Sequence, residues 1–236
     1  MSTDTLDAVR VTGILAMIGA LIYAVGDVFL LAAKVNIADY PNLQPHLKLL
    51  SDAEKMVVLP WWRLAWGGLL GVFATPLVLA GFWQVYQGLL PAGAGLALPP
   101  VLLFACASIV GAFFHGSFIY LGEYVQALNR VSAESQAALV GMLTRHRKIL
   151  IVGFGFIIPL ALIASVWFSA LVASGQTWFP RWMAVVNPAS TFLAWMITRR
   201  ILPKRISAYT EGAGFNIAYL IFFALTTATL WQGGYL

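Results

Sequence analysis

Charge is the scarcest resource in this sequence of 236 residues. Only 10% of them are Asp, Glu, Lys or Arg, against roughly a quarter in ordinary soluble domains. With 61% hydrophobic residues, no stretch is polar enough to form a separate soluble domain. Cysteine is nearly absent. Cys106 stands alone, which excludes an internal disulfide and a multi-thiolate metal site. There are three histidines, and no His-xxx-His or Glu-xx-His pair supports a metal centre. No nucleophile elbow, phosphate-cradling glycine loop or other cofactor motif is present.

What the chain does have is long apolar runs, about 11–34, 63–88, 98–128, 149–173, 181–200 and 213–233. Each approaches the length needed to cross a hydrocarbon core of roughly 30 Å. They are continuous rather than alternating, so the expected fold is an all-α integral membrane bundle of about six helices in one domain, 1–236, and not a barrel. Met1 to Arg10 carries Asp4 and Asp7 instead of a basic start, so the first run reads as a retained span.

The net charge of +5 is distributed unevenly. Lys34, Lys48, Lys55 and Arg63 flank the first loop, Arg130, Arg145, Arg147 and Lys148 the third, and Arg199, Arg200, Lys204 and Arg205 the fifth. These are 12 of the 14 basic residues; Arg10 and Arg181 are the others. The positive-inside rule then puts these loops in the cytoplasm and both termini outside, with the chain in the cell membrane. No basic face exists apart from the membrane ends, so nucleic acid is not an expected partner, whereas membrane lipids are.

Local signals punctuate the runs. Ser51-Asp52-Ala53-Glu54 reads as a capping box opening a short helix. Gly67 and Gly71 form a Gly-xxx-Gly pair suited to close helix packing. Pro76 is expected to kink the second span and Pro159 to interrupt the fourth. Val131 to His146 reads as a separate surface helix. Asn187-Pro188 breaks the fifth run and leaves carbonyls in need of partners.

Asp27 lies inside the first run, where a carboxyl group is costly and by default functional. At 1.5 Å rise per residue it falls roughly 8 Å to the cytoplasmic side of its span's centre, His115 roughly 6 Å and Asn216 about 10 Å to the same side. Glu123 falls roughly 18 Å out, near the level of Arg63. Burying these groups together costs less than burying them apart. A polar pocket in the cytoplasmic half is therefore expected, with Asp27, His115 and Glu123 as catalytic candidates. Tyr23, Trp62, Arg63, Tyr120, Asn216 and Tyr219 are the substrate-binding candidates. A serine hydrolase would draw on Ser108 or Ser117. The other histidines, His46 and His146, fall in loops.

The segment Gly26-Asp27-Val28-Phe29-Leu30-Leu31 resembles the Gly-Asp segment on a span of lysoplasmalogenase-type membrane enzymes. Tyr23 to Phe29 is similar to a span of the sterol isomerase (emopamil-binding) family, whose intramembrane acids and histidine move protons on a lipid. The whole chain resembles an uncharacterised bacterial family of small polytopic membrane proteins. These resemblances imply lipid-directed acid–base chemistry; with Asp27 and His115 at similar depth, the expected function is an enzyme acting on a lipid-like or isoprenoid-like substrate, and the residue patterns call for no metal or cofactor. A small proton-coupled transporter and a non-catalytic membrane subunit are the alternative expectations.

Overall fold

The computed structural model describes residues 3–210 and 212–232, the side chain of Arg205 excepted, so the last residue of the expected run 213–233 lies outside the described residues. The described residues contain helices and turns and no strand. Six long helices carry the architecture: α1 (Thr3–Leu31), α2 (Trp61–Leu89), α3 (Ala94–Arg130), α4 (Ala133–Ser174), α5 (Pro188–Ile201) and α6 (Gly214–Gln232). All but α5 are long and apolar enough to cross a membrane, which makes this a multi-pass membrane protein.

The expected span 181–200 is different. A 3-10 turn, Arg181–Val185, precedes α5, whose 14 residues extend about 21 Å, less than a full hydrocarbon core. The chain dips into the bundle before α5 begins. Asn187 caps the helix, accepting from Ser190 N at 2.9 Å while Ser190 Oγ accepts from Asn187 N at 3.1 Å. The carbonyls freed by the break find hydroxyls. Ser169 Oγ donates to Ala184 O and Ser190 Oγ to Val185 O, both at 2.6 Å. Irregular backbone at this depth is tolerated because protein covers it.

Two further expectations change. Val131–His146 is no separate surface helix; from Ala133 it is the first third of α4, which runs 42 residues unbroken through Pro159. Losing one N–H at Pro159 is cheaper in lipid than exposing a whole broken turn. The capping box at Ser51–Glu54 does not form. Ser51 and Asp52 take left-handed backbone angles (φ 45° and 75°), so neither presents a side chain to the 3-10 turn Ala53–Val58 that follows.

Around the bundle the order is α4, α3, α2, α1, α6, α5, and α5 touches α4 only sparsely. The first loop folds back over one end. Leu43, Leu50, Met56 and Leu59 bury themselves against Leu64, Val125 and Leu143, each buried leucine contributing on the order of 1.5–3 kcal/mol. Gln126 Nε2 fixes this cap by donating to Met56 O (3.1 Å) and Leu59 O (2.7 Å). We call this the basic end, because the basic loops gather there. At the other, terminal end, the Arg10 guanidinium lies 5.1 Å from the Trp231 ring, so the start of α1 meets the end of α6.

Candidate functional site

The site forms where four helices meet, about midway along the bundle and toward the basic end. Asp27, near the end of α1, is 7% exposed. Its Oδ1 lies 3.1 Å from Nε2 of His115 on α3, and its Oδ2 accepts from Asn216 Nδ2 on α6 at 2.6 Å. Nδ1 of His115 lies 3.3 Å from the carbonyl oxygen of Gly68 on α2.

These contacts constrain the protons. A carbonyl oxygen can only accept, so the hydrogen on His115 belongs on Nδ1. Nε2 then either accepts from a protonated Asp27 or donates to an ionised one. In both cases one proton lies between Asp27 and His115.

Glycines make the room. The His115 ring packs directly on Gly71, where an added Cβ would collide with it. A Cβ at Gly26 would lie 2.8 Å from Gly67 O and 3.1 Å from His115 Cε1. Together α1 and α2 form a slot the width of an imidazole. Tyr23 closes its other side, edge-on to His115 with centroids 5.2 Å apart and planes at 81°. The Tyr23 hydroxyl bonds Thr75 Oγ1 at 2.5 Å. Because the Thr75 hydroxyl donates to Gly71 O at 3.0 Å, Tyr23 is the donor in that pair.

A cavity of about 530 Å³ opens beside this cluster, within the usual size range of small-molecule sites. Tyr23, Asp27, Ser108, His115, Asn216 and Tyr219 line one wall. The opposite wall is apolar and includes Phe154, Ile158 and Leu162 from α4 and Phe192 from α5. The space is amphipathic, with one polar corner and one greasy face.

Five of the nine expected site residues line it: Tyr23, Asp27, His115, Asn216 and Tyr219. Trp62, Arg63, Tyr120 and Glu123 do not. Glu123 follows His115 by eight residues, about 80° further round α3, and is exposed. Tyr120 is 62% exposed. Arg63 reaches back to the end of α1 and donates to the carbonyls of Phe29 (3.0 Å), Val28 (3.1 Å) and Ala32 (3.3 Å), a C-terminal cap in place of a headgroup contact. Trp62 is 52% exposed and packs edge-on against Phe29. Ser117 donates to Phe114 O at 2.7 Å within its own helix. Among the described residues no group of three or more His, Cys, Asp or Glu is placed to hold a metal ion.

Gly68, Gly71 and Thr75 join the site without having been singled out for it. The signal was present in the Gly67-xxx-Gly71 spacing, which lies level with His115, and in Thr75 one turn further on.

The fold and site thus define a multi-pass helical membrane protein built round a buried carboxylate–imidazole pair. The chain belongs to a family of unknown function, DUF6796, whose model matches residues 1–232. No curated protein and no solved structure matches it. The resemblance to an uncharacterised family is therefore the one that holds, and nothing found ties the chain to the lysoplasmalogenase or emopamil-binding families.

Proposed function

We propose that this protein is an integral membrane enzyme that performs acid–base chemistry on a lipid-like or isoprenoid-like substrate. The supporting observation is the 3.1 Å contact between Asp27 and His115 on the wall of an otherwise largely apolar cavity. A pair sharing one proton suits an isomerisation or cyclisation. The Asp27 carboxyl gives its proton to one substrate atom. The imidazole takes a proton from another, and the resulting carboxylate and imidazolium return to the starting pair. Asn216 holds Asp27 in place, while Tyr23 and Tyr219 contact the substrate's polar group. The reaction consumes no cofactor.

In this reading the basic end faces the cytoplasm of a cell membrane, as the positive-inside rule requires, and both termini lie outside. Helix α5 then serves as a partial sixth span that returns the chain to the basic side.

Mass spectrometry of lipid extracts incubated with purified protein tests the proposal. A product formed by wild type and lost in Asp27→Asn, with unchanged thermal unfolding, is expected. A fully active Asp27→Asn variant would end the assignment.

A second reading, proton-coupled transport, draws on one observation. Gln84 and Thr227 form a buried polar contact at 3.2 Å in the terminal half, and Gln84 Nε2 has no hydrogen-bond partner. A proton path would have to pass the phenylalanine layer between them and the cavity. Uptake into proteoliposomes that follows a pH gradient would favour this reading over catalysis.

A further inference from the structure

We infer that the cavity receives its ligand sideways from the bilayer, through the seam between α4 and the α5–α6 pair. The ligand is then an amphiphile whose apolar chain lies along Phe154, Ile158 and Leu162. The inference deepens the proposed function, since it takes the cavity to be the substrate site.

Among the described residues, three of the cavity's sides are closed. On the Asp27 side, exposure is 7% for Asp27, 6% for His115 and 3% for Ala107. At the terminal end Phe82, Phe104, Phe222 and Phe223 are at most 1% exposed. At the basic end Gly212 is wedged onto Leu31, and a Cβ there would collide with that side chain and stand 3.5 Å from Asp27 Cβ. The α4 wall is different. Phe154, Ile158 and Leu162 line the same cavity, yet are 37%, 42% and 49% exposed. Spaced four residues apart, they form one stripe of the helix, half turned inward and half outward.

The seam exists because α4 and α6 meet in the terminal half, where the Phe168 and Phe222 rings lie 5.3 Å apart, and then separate around the cavity. Its far side is the stacked pair Phe192–Phe215, 4.1 Å between centroids. The mouth faces hydrocarbon. From Ile149 to Ser174 α4 carries no charged residue, and its flanking residues Val152 (73% exposed) and Val166 (70%) are apolar, as is Leu193 of α5 (62%). A water-soluble ligand has no route there. A lipid can bring its polar group to Asp27 and Asn216 while its chain remains in the seam.

Two glycines give the test. Gly111 lines the cavity, and a Cβ added there meets no atom within 4 Å. Gly155 is exposed on α4, outside the lining, and is equally open. In a Cys106→Ser background, Gly111→Cys or Gly155→Cys is labelled with a benzophenone maleimide, reconstituted in dioleoylphosphatidylcholine vesicles and illuminated. Intact-protein mass spectrometry then reads phospholipid adducts. We expect adducts at both positions, and loss of the adduct at 111 alone when Ile158→Trp and Leu162→Trp block the seam. Adducts at 155 without adducts at 111, or adducts at 111 that survive the two tryptophans, would overturn the lateral route. The catalytic reading is judged separately. Adducts at 111 in a protein that forms no product from any lipid extract would leave the route standing and remove the enzyme.

Discussion

At the terminal end of the bundle Phe82, Phe104, Phe168, Phe222 and Phe223 close on one another with ring centroids 5.3–6.2 Å apart. A few turns toward the basic end, Gly26 and Gly71 withhold side chains so that one imidazole can lie between two helices, with a cavity beside it. In lipid, apolar side chains gain little from leaving their solvent, so helices hold together by close packing and by interhelical hydrogen bonds. The two regions divide those tasks. The phenylalanine layer holds α2, α3, α4 and α6 by packing. The glycine slot holds α1, α2, α3 and α6 through the bonds of Asp27, His115, Asn216 and Gly68. A rigid half keeps a hollow half open.

Substitutions in each region should separate these roles. The largest effect is expected for Asp27→Asn, about 10²–10⁴-fold in turnover by the usual worth of general acid–base catalysis, read by product formation. Phe104→Ala should do the reverse, costing about 3–5 kcal/mol of stability in detergent melts by the usual cost of large-to-small core changes while leaving the Asp27–His115 chemistry in the molecules that remain folded. Arg63→Ala leaves three carbonyls at the end of α1 without their charged donor. A loss of about 1.5–3 kcal/mol is expected from hydrogen bonds of that kind, with turnover falling less than in Asp27→Asn. The smallest effect belongs to Tyr23→Phe, which removes the bond to Thr75 and should cost about 1 kcal/mol in the same melts. A Tyr23→Phe variant less stable than Phe104→Ala would mean that the slot, not the aromatic layer, carries the packing.

The sequence made the two regions unequally readable. Apolar length alone located α1, α2, α3 and α6, because backbone in lipid has so few alternatives to a helix. It misjudged α5, whose apolar run includes a turn satisfied by Ser169 from α4 and by Ser190 of α5 itself. It also divided α4, since a polar first third and an apolar remainder belong to one helix whose surroundings change. In the site, rise per residue ranked Asp27, His115 and Asn216 at similar depth, and the structure brings those three into contact. Depth says nothing of direction around the helix. Glu123 and Tyr120 therefore looked as eligible as their neighbours, although they face outward. Arg63 was misread for a different reason: the end of α1 needed a donor, and that need is invisible until α1 and α2 are placed side by side.

The Gly68 carbonyl has an electrical consequence. By holding the Nδ1 hydrogen of His115 it confines the mobile proton to the gap between Nε2 and Asp27, so the membrane field acts on that proton only over a short distance. A full charge crossing the membrane gains or loses about 2.3 kcal/mol per 100 mV. A proton passing the 3.1 Å between His115 and Asp27 spans about a tenth of a 30 Å core, so each 100 mV of potential can add at most about 0.2 kcal/mol to that step. Turnover in energised vesicles should therefore be indifferent to membrane potential, whereas a protein that carried protons across would respond to it strongly.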